Sequence, residues 1–300
     1  MKRSSHTGFS SGLRAAALLR RHSRLVAVAV ILASISVLLY PFASNFVFEY
    51  QADSLISTYE REVSQQAEPE LEVMLEQAQR YNDALGADHV QLIDPFTSEG
   101  LTGISEDYSS LLDTSDTGVM AYIDIPKIDV FLPIYHGTDA ATLEKGVGHL
   151  EGSSLPIGGR GTHSVLSAHT GLNSAKLFTD LVDLEQNDLF FVHVLGQTLA
   201  YQVDQILVVE PHDVSALMLE PNRDLVTLLT CTPCGVNTHR LLVRGTRVEY
   251  TPEAVQRAES VKTDGHNSQW MREYAHAMMA GIGLVGLLSI AGQIYKKRRK

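Results

Sequence analysis

The sequence predicts a mainly β body set between two apolar helices. Three observations lead there. From about residue 119 the chain runs through short β-branched stretches cut by Gly, Pro and Asp; a long uncharged apolar stretch lies on each side of this region; and the charge is partitioned, basic at both ends and acidic between them. The chain of 300 residues is 44% hydrophobic and 20% charged, which argues against wholesale disorder, a collagen helix or a coiled coil. Its two cysteines exclude a disulfide framework and a four-cysteine zinc site.

Residues 1–24 form a basic tail carrying Lys2, Arg3, Arg14, Arg20, Arg21 and Arg24 with no acid, and residues 296–300 read Lys-Lys-Arg-Arg-Lys. These eleven charges mask the body. Of a net charge of -11, the middle of the chain accounts for -22, with 13 basic against 35 acidic residues. An acidic body repels phosphate backbones, so nucleic acid is not an expected partner.

The first apolar stretch, residues 25–48, has 24 uncharged residues, and the second, residues 274–295, has 22. As helices they would span roughly 36 and 33 Å, against a hydrocarbon core of about 30 Å. For the first, a cleaved secretory signal is the alternative; its length and the lack of a clear small-x-small cleavage site favour a retained anchor. The second is read as a stop-transfer helix rather than a core helix, because Gly281, Gly283, Gly286 and Gly292 weaken a helix in water and are commoner in membranes. If both cross, the positive-inside rule places both termini in the cytoplasm and the acidic body outside the cell.

Residues 49–118 begin with a helical region. Val63, Leu71, Met74, Leu75 and Ala78 fall near helical periods, with Pro69 as the interruption, so one or two helices are expected up to about residue 92. In residues 119–252 the predicted strands are 119–125, 130–134, 164–168, 189–194, 199–209, 225–230 and 240–249. No long regular helix separates them, which suggests an all-β barrel or sandwich. Residues 253–273 read as a linker.

The chemistry concentrates in Thr227-Leu-Leu-Thr-Cys231-Thr-Pro-Cys234-Gly and the following His239-Arg240. A strand ending at Cys231 delivers a thiol to a sheet edge, and the return strand brings His239 or Arg240 beside it. A thiolate is the nucleophilic form and needs such a neighbour. Other readings stay open: a buried structural thiol, a Cys231–Cys234 redox pair, or a zinc site recruiting His239. The redox reading expects a helix starting at the first cysteine, whereas strands lie on both sides here. Of the histidines, His169 ends an apolar strand just before Gly171; His163, His193, His149 and His212 read as surface or satisfied core residues.

At this point the chain resembles the sortases, specifically the class C, pilin-polymerising sortases of Gram-positive bacteria. Thr227-Leu-Leu-Thr-Cys231 is similar to the family's nucleophile motif, Arg240 falls at its essential arginine and His169 at its catalytic histidine; 143–150 and 155–159 share the family's look. The resemblance covers about residues 119–250 and the two-anchor layout. It implies a closed eight-stranded β-barrel with N-terminal helices, and a lid in which Asp94 of Asp94-Pro95-Phe96 pairs with Arg240 and Phe96 shields Cys231.

The implied activity is that of a cysteine transpeptidase at the cell membrane. It would cleave an LPxTG-type sorting signal between Thr and Gly and join pilin subunits through an acceptor lysine, with no cofactor and no metal. The chain departs from the family at Cys234, where class C members commonly carry tyrosine; a disulfide to Cys231 would switch the enzyme off. A membrane-tethered thiol-disulfide protein using Cys231 and Cys234 is the rival reading, and a non-enzymatic surface scaffold a third.

Overall fold

The computed structural model describes residues 9–87, 92–96, 106–114, 117–172, 174–261 and 268–298. Helix α1 (Phe9–Gln65) carries the first apolar run and continues unbroken into the body. Its backbone also takes in residues 9–24 of the stretch read as a tail. Helix α2 (Glu68–Ala87) begins after a two-residue break, with Pro69 in its first turn, where a missing N–H costs nothing, and Glu68 and Glu70 facing the positive end of the helix dipole. A single-turn helix α3 (Glu106–Ser109) precedes the strands.

Eight strands follow: β1 (Val119–Ile125), β2 (Val130–His136), β3 (Val147–His149), β4 (Thr162–Ser167), β5 (Leu189–Val194), β6 (Gln197–Val209), β7 (Asp224–Thr232) and β8 (His239–Val248). They close into a barrel in the order β1-β2-β3-β4-β7-β8-β6-β5, with β5 returning to pair with β1. The eighth strand absent from the sequence reading is β3, only three residues long, paired parallel to β2 and antiparallel to β4. The β4–β7 pair is also parallel; the remaining neighbours are antiparallel.

Alternate residues from these strands fill the interior, including Ile123, Ile134, Leu166, Phe190, Tyr201, Leu228 and Val243. Gly245 is glycine because β8 passes over the Phe190 ring: a Cβ there would meet it at 2.5 Å. Helix α1 packs Ile56, Tyr59 and Val63 on Val119, Tyr122 and Tyr135 outside the barrel. The Tyr59 hydroxyl donates to the Met120 carbonyl at 3.2 Å and accepts from the Leu195 N–H at 2.9 Å. Helix α2 is fixed by Asn82, which exchanges two hydrogen bonds with the Leu155 backbone.

Helix α4 (Ala140–Lys145) is capped by Asp139, whose carboxylate accepts from the Ala141 and Thr142 N–H groups, a contribution of about 1 kcal/mol. Two helices follow the barrel. Helix α5 (Pro252–Ser260), capped by Thr251, lies within the stretch read as a linker and buries Ala254 and Ala258 against Phe191. Its two buried positions are small alanines spaced i, i+4, a weak apolar signal. Helix α6 (Gln269–Arg298) contains the second apolar run. Trp270 and Tyr274 of α6 set their rings edge-on to Phe42 of α1, at 5.4 and 4.8 Å. Among the described residues, one helical stretch, Leu32–Gln65, is long and apolar enough to cross a bilayer.

Candidate active site

Cys231 is the penultimate residue of β7, and its backbone partner on β8 is Arg240. Parallel pairing of β4 and β7 aligns Ser167 with Leu229. His169 and Cys231 therefore each lie two residues beyond an aligned pair, at the same end of neighbouring chains. Two bonds extend the pairing past β4: Ala168 donates its N–H to the Leu229 carbonyl at 3.2 Å, and the Thr230 hydroxyl donates to the Ala168 carbonyl at 2.7 Å. Thr230 was not singled out from the sequence, although its place beside the cysteine marks it.

Arg240 is held from all sides. Its Nη1 donates to the Asn237 and His239 carbonyls, while Nε and Nη2 donate to the two oxygens of Asp94 at 2.9 and 2.7 Å. This fork matches a planar carboxylate. Both side chains of the pair are buried, at 8% and 3% exposure. Two residues beyond Asp94, the Phe96 ring lies 5.7 Å from the His169 ring and 5.3 Å from the guanidinium carbon of Arg240. The arrangement brings Asp94, Phe96, His169, Cys231 and Arg240 into one cluster; the segments on either side of Leu92–Phe96, residues 88–91 and 97–105, lie outside the described residues.

The electrostatics describe a resting centre. Burial pushes the Cys231 thiol up to about 11; the Arg240 charge lowers it and the Asp94 charge raises it. Burial also holds His169 below its usual value, opposed by the charge of Glu144 on α4. At neutral pH the closed site holds a thiol and a neutral imidazole. Glu144 is a further residue with a bearing on the site that the sequence reading passed over. For Arg240, burial works against the charged form, but the Asp94 hydrogen bonds prevail and raise its pKa.

The other histidines are engaged elsewhere. His163 bridges Thr227 Oγ1 and the Met218 carbonyl, His149 is buried between Tyr108 and the Ser154 carbonyl, and His193 stacks on Tyr122 at 4.3 Å. No disulfide joins Cys231 and Cys234. Cys234 lies over Gly171, at whose position a Cβ would come within 2.9 Å of its sulfur. No helix starts at Cys231; β7 runs on to Thr232 and a turn follows. Among the described residues no group of three or more His, Cys, Asp or Glu side chains is placed to hold a metal ion.

The Sortase domain family matches residues 123–248. Among curated proteins, Sortase D of Bacillus subtilis (strain 168) is 33% identical over 129 residues, 42% of this chain and 62% of that protein, so the match spans less than two thirds of the relative. Among solved structures, sortase C-1 of Actinomyces oris is 48% identical and is covered over 99% of its length by 61% of this chain, with a TM-score of 0.57. A pilus-related sortase C of Group B Streptococcus is 44% identical, covered over 96% of its length by 64% of this chain, with a TM-score of 0.60. Two sortases C are thus matched over nearly their whole length, through the barrel that carries Cys231, His169 and Arg240: the chain belongs to the sortase family, in its class C branch.

Proposed function

We propose that the protein is a cysteine transpeptidase that cleaves an LPxTG-type sorting signal between Thr and Gly and joins pilin subunits by isopeptide bonds. The observation that carries this reading is the cross-strand pairing of Cys231 with Arg240, level with His169, beneath a closed Asp94–Phe96 segment. Catalysis begins when that segment leaves. Cys231 loses its proton to His169 and its sulfur attacks the Thr carbonyl carbon, while Arg240, released from Asp94, donates hydrogen bonds to the developing oxyanion.

The Thr–Gly C–N bond breaks as His169 protonates the departing amine, leaving a thioester on Cys231. A lysine ε-amine from an acceptor pilin then attacks the thioester. His169 takes its proton, the C–S bond breaks, and the amide formed is the isopeptide link. No redox step enters, and the thiol returns to its starting state.

The membrane arrangement belongs to the same proposal. Helix α1 and the apolar part of α6 both span the bilayer, with basic termini in the cytoplasm and the barrel on the outer face. The Phe42–Trp270–Tyr274 ring cluster brings the two helices together at the foot of the barrel. Aromatic side chains of this kind are common at membrane–water interfaces.

The test is intact-mass analysis of the full chain in detergent, with Asp94→Ala to open the lid, mixed under reducing conditions with a Leu-Pro-x-Thr-Gly peptide. An acyl adduct that disappears in Cys231→Ala is the expected result. No adduct, together with a two-hydrogen loss on mild oxidation, would replace this reading by the thiol-disulfide one.

A further inference from the structure

A 3-10 turn, Thr179–Asp183, lies between the His169 loop and the start of α6. Three consecutive residues at its head reach three separate places. Phe178 donates its N–H to the His169 carbonyl at 3.1 Å, the Thr179 hydroxyl accepts the Gly171 N–H at 3.0 Å, and the Asp180 carboxylate accepts the Trp270 N–H at 2.8 Å. Just upstream, Lys176 donates its N–H to Asn45 of α1 at 2.8 Å. The backbone that carries His169 is thus bonded, within a few residues, to both flanking helices.

Asp180 is an expensive residue to place here. It is 1% exposed, its Oδ2 accepts no hydrogen bond among the described residues, and Lys176 Nζ stands 3.8 Å away. Burial raises its pKa in consequence, against the Trp270 N–H and the Lys176 charge. An incompletely bonded carboxylate in the interior costs stability. Capping alone does not require it, since Ser268 already accepts the Met271 N–H and Asp183 the Gln269 N–H. Asp183, at the far end of the same turn, also ties it to α6 through the Gln269 N–H and Arg272, whereas Asp180 makes its tie at the residue directly after Phe178 and Thr179, which hold His169 and Gly171.

We propose that Asp180 is a positioning residue for the transfer reaction: it locks the turn against α6 and thereby fixes the backbone of His169. The proposal rests on the transpeptidase reading and assigns the second flanking helix a part in catalysis in addition to anchoring. Loss of the lock leaves substrate binding intact and misplaces the group that moves the proton. A displacement of about 1 Å at a catalytic group costs on the order of 100-fold, so a loosened turn is expected to lower kcat by about 10- to 100-fold.

The experiment compares Asp180→Ala and Asp180→Asn in the full chain in detergent, measuring kcat and KM on a Leu-Pro-x-Thr-Gly peptide, the fraction of reactive Cys231 by thiol titration, and amide exchange of residues 169–180. Asparagine keeps the acceptor for the Trp270 N–H. The expected result is a fall in kcat per reactive thiol with KM within about twofold for alanine, recovery with asparagine, and faster exchange at Phe178 in the alanine variant only. Wild-type kcat per reactive thiol in Asp180→Ala, or a loss carried wholly by KM, overturns the proposal. Should the Asp94→Ala chain with Asp180 intact form no acyl adduct, the transpeptidase reading fails by itself; unchanged exchange at Phe178 in Asp180→Ala then also removes the lock, and faster exchange retains it.

Discussion

Asp94 and Arg240, 146 residues apart in sequence, form a two-pronged ion pair directly beside the Cys231 thiol. Neither side chain has access to much water, so each is the counter-charge that makes burial of the other tolerable. While they are joined, the Nε–Nη2 edge of Arg240 faces the carboxylate and not a substrate carbonyl. The guanidinium beside the thiol is thus engaged by a carboxylate of its own chain.

Asp94→Ala therefore accelerates peptide cleavage. Removing the carboxylate takes away the closed state's main polar contact, and a loss of one or two kcal/mol of closing free energy corresponds to about 5- to 30-fold more open form. Cleavage of a fluorogenic sorting-signal peptide measures this. Rates equal to wild type would show that the segment does not gate the site.

The same substitution lowers the pH at which Cys231 reacts. The thiol stands near 11 because it is buried and faces Asp94, with Arg240 as the opposing influence. Opening the lid removes both raising causes and leaves the arginine. The midpoint of iodoacetamide alkylation against pH moves down, towards or below the ordinary thiol value of about 8.5. A midpoint unmoved from about 11 would mean that the barrel, and not the lid, buries the thiol.

Arg240→Ala, made in the Asp94→Ala background to avoid an orphaned carboxylate, reduces acylation by about 10²- to 10³-fold, as for other lost oxyanion donors. Single-turnover mass spectrometry separates this from binding. Equal acylation with and without the guanidinium would remove Arg240 from the chemistry.

Most of this site is written in short local patterns. The apolar run into Cys231 and the return through Arg240 form a hairpin, which sequence periodicity exposes directly. The Asp94 contact is not local: nothing in the Asp94-Pro95-Phe96 tripeptide reports what it lies against, and only family resemblance suggested its partner. Strand β3 escaped for a different reason, being three residues long with Gly148 at its centre, too short to show alternation. Helix α5 escaped because its buried face is made of Ala254 and Ala258. Glu144 and Asp180 act on His169 through space and through backbone bonds, relationships that side-chain type alone does not reveal.

Acid destabilises the barrel through His149. The ring is fully buried, with Nε2 donating to the Ser154 carbonyl, and burial lowers its pKa to about 3. Between about 6.5 and about 3 the unfolded chain binds a proton that the folded one refuses, so stability rises with pH across that window and is lost as pH falls. The slope from this group is about 1.4 kcal/mol per pH unit. Urea midpoints at pH 7 and pH 5 measure the loss, and His149→Gln should flatten the difference.

Gly245→Ala destabilises the fold without touching the site. The added methyl meets Phe190 ring atoms at 2.5 and 2.6 Å and Tyr201 Cβ at 2.9 Å, with no flexible chain end to give way. Overpacking of this kind costs about 1–3 kcal/mol. A thermal melt that matches wild type would show that β8 can move off the Phe190 ring.

The parallel pairing of β4 with β7 also sets a timetable for the newborn protein. The two strands meet only after β5 and β6, which lie between them in sequence, have been made and moved to the far side of the cylinder. Synthesis runs from the N-terminus at about 5–20 residues per second, so the lid and His169 emerge first and the thiol and Arg240 last. A nascent chain does not hold Cys231 and Arg240 side by side until its final two strands close the wall. One that is cut short or stalled before β8 carries the thiol without the guanidinium that pairs across from it.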